Sequence, residues 1–575
     1  MTRVSAQGRR RAWWAVALAC VLFANAFTPR LIEAASPTSM VKDINPGARS
    51  SAAGTLLEMD GKLYFGANDG VHGYELWVSD GTAAGTKMVK DTLPGSESGV
   101  ERVYLTHDGY VYFSATDQAH GTELWRSDGS ATGTALFKDI FPGEASSRPD
   151  VFTVAGDKLY FEAADLDGRE LWVSDGTSSG TVQVKDIWTG FQGSDPLHQS
   201  VVLGEQLLFT ADDGVSGEEL WITDGTSIGT VLVKDIKDGA QGSYPGSFVA
   251  FEGQVFFRAT DGISGSELWS TDGTEAETHL VKDIRAGASS SSPQSLNVLG
   301  SLLIFRANDG VHGYEMWRSN GTEEGTNLIQ EIQVGAFGSG IDPQGILGGG
   351  LLFVADAGRG AGMWVTDGYE VDLVREYVHA ANQFTSFLGY GFFDAYDEDH
   401  GMELWRTDGT AKGTQLVRDI RYENAPLDSG DLNGSLPRSL TVMGDQLYFF
   451  AKDDSHGYEL WRTTGEIDDP CGVISMTVCP TIRDDAPGNV VGAPGTNSYL
   501  ALATYSWYRC RSAGLATASR MIPRGCTLAT KVISSGPRMA SRPYRVSPVD
   551  RSWGYLRLRV QVSGKSYFSG TYDLR

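Results

Sequence analysis

Tryptophan recurs along this chain at Trp77, Trp125, Trp172, Trp221, Trp269, Trp317, Trp364, Trp405 and Trp461, with most intervals between 47 and 49 residues. A period of this size restricts the fold to a solenoid, a propeller or an array. Each repeat is one supersecondary unit that buries its apolar face only against its neighbours. Every period carries four short strand candidates. The first is a weakly apolar segment such as Ser295-Leu296-Asn297-Val298, and the second reads like Leu63-Tyr64-Phe65. The third carries the tryptophan, and the fourth reads like Val184-Lys185-Asp186-Ile187. Aromatic and β-branched runs broken by Gly, Asn, Asp and Pro are strands joined by turns. Four of them in about 48 residues is the content of one propeller blade.

The ends of the repeat region predict closure. An orphan fourth strand, Met40-Val41-Lys42-Asp43-Ile44, precedes the first complete repeat, and none follows Trp461. The N-terminal strand is therefore expected to complete the last blade, which removes an open sheet edge. The expected fold is all-β, a closed propeller of about nine four-stranded blades. Eight is the alternative if the seventh unit fails to form one, because Gly362-Met363-Trp364 lacks the Glu-Leu and no Gly-Thr follows Asp367-Gly368.

The central stretch of each repeat, as in Glu75-Leu76-Trp77-Val78-Ser79-Asp80-Gly81-Thr82, resembles the signature of the bacterial ELWxxDGT-repeat proteins. The resemblance implies propeller-like repeats and names no activity. Near the C-terminus, Trp507-Tyr508-Arg509-Cys510 and Leu556-Arg557-Leu558-Arg559-Val560 alternate at strand spacing. They resemble the immunoglobulin-like modules of bacterial surface proteins, which implies a small β-sandwich acting as a spacer or adhesive unit.

Residues 1–35 read as a cleaved export signal, with Arg9-Arg10-Arg11, an apolar run from Ala12 to Phe27 and small residues at Ala34-Ala35-Ser36. Left uncleaved, it would be the chain's single membrane attachment. The expected divisions are a signal over 1–35, the propeller over 36–465, a linker with a small disulfide loop over 466–490 and the immunoglobulin-like module over 491–575. Four cysteines follow the signal: Cys471, Cys479, Cys510 and Cys526. An exported chain uses an even set as disulfides, and neighbour pairing is the simplest of three connectivities. With about +11 on residues 491–575 and +4 on residues 1–35, the formal net charge of -25 leaves the repeat region at about -40. Such a body repels phosphates, which excludes nucleic acid as its partner.

The turn before each tryptophan strand often reads Asp-x-x-His-Gly-x-Glu, as at Asp69, His72 and Glu75. It invites a metal or acid–base reading, but Ser216 and Ser264 replace the histidine in sister repeats. Serine and histidine can both cap a turn, whereas serine is a poor imidazole substitute. Calcium is the candidate cofactor, at the oxygen-rich loops of Asp69, Asp213, Asp261 and Asp309. No nucleophile elbow, phosphate loop or zinc-protease motif is present. The degenerate seventh and eighth repeats, with Arg359, Arg375 and Tyr377, are where a singular site could lie. The sequence thus predicts a secreted or cell-surface, noncatalytic propeller that binds, adheres or scaffolds through an extracellular protein or glycan ligand. A polysaccharide hydrolase or lyase on a propeller scaffold is the alternative.

Overall fold

The computed structural model describes residues 36–51, 54–376, 379–397, 400–421 and 434–467, and backbone strands between 481 and 573. The signal, Tyr377, Cys471 and Cys479 lie outside the described residues. No helix occurs among the described residues, and nine four-stranded sheets form a ring of blades. Blade 1 runs through Leu56–Met59, Lys62–Asn68, Tyr74–Ser79 and Lys87–Lys90, each strand antiparallel to the last. Blades 2 to 8 span 100–138, 150–185, 200–234, 246–282, 294–330, 342–376 and 379–418. The degenerate seventh repeat makes a complete sheet, so the count is nine.

Blade 9 joins both ends of the ring. Thr38–Lys42 pairs antiparallel with Glu459–Thr463, with Thr38 opposite Thr463 and Met40 opposite Trp461. Thr38 Oγ1 donates to Thr463 Oγ1 at 2.9 Å in a buried site, and Arg418 of blade 8 reaches Ser36 Oγ at 2.7 Å.

The repeated residues explain why neighbouring blades adhere. Trp77 is buried in a cluster that takes Leu63 and Phe65 from blade 1 and Met443, Tyr448 and Phe450 from blade 9. Each such aromatic fills a pocket that a single blade could not provide. The fourth-strand lysine then bridges to the next blade. Lys42 donates to the Thr86 carbonyl at 2.6 Å and stands 5.7 Å from the Trp77 ring, and Lys90 does the same with Thr134 and Trp125. At the join of blades 7 and 8, Arg375 replaces the lysine, bonding the Thr414 carbonyl and lying 5.0 Å from the Trp405 ring. Arg375, singled out by the sequence, thus has a place in the ring's mortar.

The Asp-Gly-Thr turn closes the hairpin between strands three and four. Asp80 Oδ1 accepts from the Thr82 N–H at 2.9 Å and its hydroxyl at 2.6 Å. Thr82 Oγ1 in turn accepts the Gly85 N–H, and Ser79 and Thr86 join their hydroxyls at 2.7 Å. Gly81 has φ of 84° and a Cβ there would stand 2.1 Å from Tyr448 Oη of blade 9, so both conformation and packing demand glycine.

First strands of successive blades lie side by side and line the axis. Thr441 Oγ1 donates to the Leu56 carbonyl at 2.9 Å, Ser439 N–H to Gln383 Oε1 at 2.9 Å, and Ser247 N–H to Gln199 Oε1 at 3.3 Å. Farther along the chain, strands form a three-stranded and a four-stranded antiparallel sheet. Register places Cys510 directly opposite Cys526. Such cross-strand Cα spacings fall within the range a disulfide spans.

Candidate functional site

The glutamate of the repeat anchors the loop that leads to the next blade. Glu123 accepts from the N–H of Ile140 at 2.8 Å, of Phe141 at 3.3 Å and of Ser147 at 2.9 Å, and from the Ser147 hydroxyl at 2.6 Å. Glu170 and Glu315 make equivalent sets. These carboxyls are fully buried and their backbone donors would otherwise be orphaned. Burial pushes Glu170, Glu219, Glu267 and Glu459 up to about 7 and Glu403 up to about 8, against the pull of the hydrogen bonds.

This sets a pH dependence. A carboxyl whose folded-state pKa is raised from 4.5 toward 7 holds its proton more tightly in the ring than in the unfolded chain. The stability it contributes is complete below its unfolded value and fades as pH rises through the folded one. The turn histidines, raised by their aspartate partners, change in the same direction. Thermal scans are expected to give a Tm higher by at least about 5 °C at about pH 5.5 than at about pH 8.5. An equal or higher Tm at the alkaline end would contradict this.

The Asp-x-x-His turns are self-contained caps. Asp69 Oδ1 accepts from the Val71 and His72 N–H groups at 2.9 Å each, and Oδ2 faces His72 Nδ1 at 2.7 Å. Burial acts to raise Asp69, but these bonds outweigh it and hold the carboxyl below its usual value. Asp309 repeats the arrangement with His312, while at Asp213 and Asp261 the hydroxyls of Ser216 and Ser264 stand in the imidazole's place at 3.4 and 3.2 Å. Asp69, Asp213, Asp261 and Asp309 therefore sit in separate blades, each serving its own turn. Among the described residues, no group of three or more His, Cys, Asp or Glu is placed to hold a metal. His120→Ser is expected to stay within about 0.5 kcal/mol of the parent in denaturant unfolding, because serine performs this role in two sister turns. Arg359 uses its N–H on Asp356 Oδ1 at 3.1 Å in the corresponding turn of blade 7.

Function is better sought where the repeat leaves positions free. One is the residue after the Leu-Tyr-Phe triad: Gly66, Ser114, Glu162, Thr210, Arg258, Arg306, Val354, Asp394 and Phe450. It pairs with the start of the first strand, as Glu162 does with Asp150 and Arg306 with Gln294. A second is the residue before the repeat glutamate, including Tyr74, Arg169, Glu218, Tyr314 and Tyr458. Side chains from these positions pack against the start of the first strand. Arg306 Nε donates to Gln294 Oε1 at 3.0 Å, and the Arg438 guanidinium lies 3.9 Å from the Tyr458 ring.

Blades 3 and 4 put a convergent charged group there. Glu162, 8% exposed, pairs with Arg169 Nη1 at 3.0 Å, and Arg102 of blade 2 meets Asp150 at 3.2 Å. Burial raises Glu162, opposed by the Arg169 charge and reinforced by Asp150, with exposed His198 also lowering it. Burial likewise raises Glu218, and His198 is the first influence opposing it. The charge of one imidazole thus opposes the rise of two desolvated carboxyls from adjacent blades. The approach to His198 carries two non-glycine residues with positive φ, Asp195 at 42° and Leu197 at 66°. Non-glycine residues rarely adopt this conformation, and its local cost requires the surrounding structure to hold it. Sequence reading missed Glu162, Arg169, His198 and Glu218. Their signal was that they occupy positions which change identity from repeat to repeat.

A shallow depression of about 320 Å³ lies elsewhere, lined by Asp117, His120, Glu144 and Ser146 of blade 2. It is built from one of the repeated turns, whose Asp117 and His120 serve each other.

No family model matches the chain, and no curated protein matches it. Among solved structures, a prolyl endopeptidase is similar at 13% identity and a TM-score of 0.35, over 69% of this chain and 62% of that one. A puromycin-hydrolyzing peptidase of Mycobacterium tuberculosis gives 13% and 0.37, over 72% and 60%. The β-propeller domain of the Trilobed protease from Pyrococcus furiosus, described as having an open velcro topology, gives 11% and 0.31, over 55% and 95%. The chain thus spans about three fifths of the first two. At these values the likeness is one of propeller architecture. These neighbours are peptidases, which runs against the sequence-based expectation of a noncatalytic binding, adhesion or scaffolding protein, while a likeness at these values carries no activity over to this chain.

Proposed function

We propose that the chain is a hydrolase-type propeller that receives an extended polymer at one axial mouth, with Glu162, His198 and Glu218 as its acid–base groups. The supporting observation is that buried Glu162 and half-buried Glu218 come from adjacent blades, are both raised by desolvation, and both feel the charge of His198 on the loop between those blades. A carboxyl raised by burial keeps its proton to higher pH than a free one and can deliver it to a leaving group, and an imidazole can accept one. In this role one group takes a proton from water as its oxygen attacks, and another protonates the leaving group. Arg169 keeps Glu162 in place and biases it toward the charged form.

The test is hydrolysis of a panel of unstructured peptides and neutral oligosaccharides by the full chain, its His198→Ala variant and its Glu218→Gln variant. Turnover of one substrate class is expected, with each substitution lowering kcat by about a hundredfold or more while Tm is held. Absence of turnover on every substrate, or turnover unaffected by both substitutions, would overturn the proposal. Export through residues 1–35 belongs to the same reading and is checked by the mature N-terminus. Calcium at Asp69, Asp213, Asp261 and Asp309 is a separate proposal, in which the ion would compete with the N–H donors on these carboxylates; calorimetry on metal-stripped protein tests it.

A further inference from the structure

The face that carries the charged group also carries an arc of exposed apolar side chains. The turns between strands two and three and the loops between blades emerge together on this face. Glycine contacts show how closely they pack, since a Cβ on Gly168 would stand 2.5 Å from Gly193 N, and one on Gly217 would stand 2.4 Å from Gly242 N. At the tips stand Leu166, Phe191, Val215, Ile263, Val311 and Phe337, each between 65% and 93% exposed. They occur in blades 3 to 6 and the loop that follows, the sector that begins at Glu162 and Glu218. The equivalent tips of blades 2, 7 and 9 are Ala119, Arg359 and Ser455, so the apolar character is no consequence of the repeat, although Val71 of blade 1 shares it. Large apolar side chains held in water on the same face of successive blades mark an interaction surface.

Charge selects the occupant. The turns and loops of this sector on this face are residues 165–168, 186–199, 212–217, 235–246, 260–265, 283–294, 308–313 and 331–342. They hold 13 acidic residues against two basic ones, Lys237 and Arg285. Lys237 and Arg285 lie over Gly262 and Gly310, folded against neighbouring turns. An acidic field around apolar tips attracts a chain that alternates cationic and apolar side chains and repels an acidic one.

We propose that this arc binds an extended peptide carrying alternating basic and apolar side chains and leads it to the Glu162–His198–Glu218 group. The inference rests on the hydrolase reading for its purpose, but its binding step is measured independently. Three fluorescent decapeptides serve as probes: alternating Lys and Leu, alternating Glu and Leu, and alternating Lys and Ser. Anisotropy titrations with the full chain are expected to show the Lys/Leu peptide binding at least about tenfold more tightly than either other peptide. The combined variant Leu166→Ser, Phe191→Ser and Val215→Ser is expected to weaken that binding by about tenfold or more with Tm unchanged, since the three side chains are exposed. Equal affinity for all three peptides, or binding untouched in the variant, would overturn the inference. Glu218→Gln is expected to keep the Lys/Leu affinity within about threefold. Absence of turnover by the full parent chain with this preference intact tells against the hydrolase reading alone, and turnover by the parent chain with no preference among the peptides tells against the arc alone.

Discussion

A chain that starts at residue 45 is expected to unfold at least about 5 °C below the full ring. The missing strand removes Val41 and Ile44, which are 8% and 5% exposed, from the cluster shared by blades 9 and 1. Burying each such side chain stabilises by about 1.5–3 kcal/mol. The Thr38–Thr463 hydrogen bond goes too, and Glu459 loses the Ile44 N–H donor at 2.9 Å. Lys42 no longer covers Trp77. A combined loss of about 5 kcal/mol or more follows, a large share of a domain's usual margin. Tryptophan fluorescence against temperature measures it, and the synthetic segment 36–45 added in trans is expected to restore part of the loss. A truncated chain as stable as the parent would show that the ring closes by other means.

Glu403→Ala is expected to cost about 3–5 kcal/mol, among the largest effects of any single substitution in the propeller. Its carboxyl accepts from Ile420 and Arg421 N–H at 3.2 Å each, from Ser435 N–H at 2.9 Å and from the Ser435 hydroxyl at 2.5 Å. Alanine leaves those four donors in a site where no solvent replaces the lost acceptor, and each unsatisfied group costs about 1–3 kcal/mol. Glu403→Gln keeps a carbonyl acceptor and is expected to cost roughly half as much. Chemical denaturation measures both, and hydrogen exchange should show the 419–421 and 434–436 amides losing protection first. Blade 7 supplies a natural contrast. It has Gly362 in the glutamate's place, and its fourth strand, Val371–Glu376, is followed almost at once by the strand starting at His379. No long loop is there to anchor, so the carboxyl is dispensable.

The ring was legible in the sequence because its joints repeat. Trp77 and its counterparts fix the blade period, and the orphan Val41–Ile44 segment betrays the closure. The swap of His72 for Ser216 identifies a capped turn. Even the long interval between Trp405 and Trp461 has its cause in the structure. Glu403 catches Ser435 32 residues on, where Glu123 catches Ser147 after 24, so the added residues fall between the two ends that the glutamate ties together. The charged group was less legible for a physical reason. Glu162 and Glu218 come from two blades and His198 from the loop between them, so their charges act on one another only once the ring has formed. A motif search within one repeat sees each of them as a single irregular residue. Arg359 and Arg375, irregular in the sequence, prove to be local replacements within the repeat's own bonding pattern.

The central claim is that repeated residues hold the ring while the positions free of the repeat carry its chemistry. Two sets of variants test it: Glu123→Ala, Glu315→Ala and Lys90→Ala from the repeat, and Glu162→Gln, His198→Ala and Glu218→Gln from the free positions. Turnover per folded molecule is measured beside Tm for each. The expected result is a lowered Tm with turnover kept in the first set, and turnover lowered by about a hundredfold with Tm kept in the second. Turnover lost in step with Tm across both sets, or unchanged in the second, would contradict it.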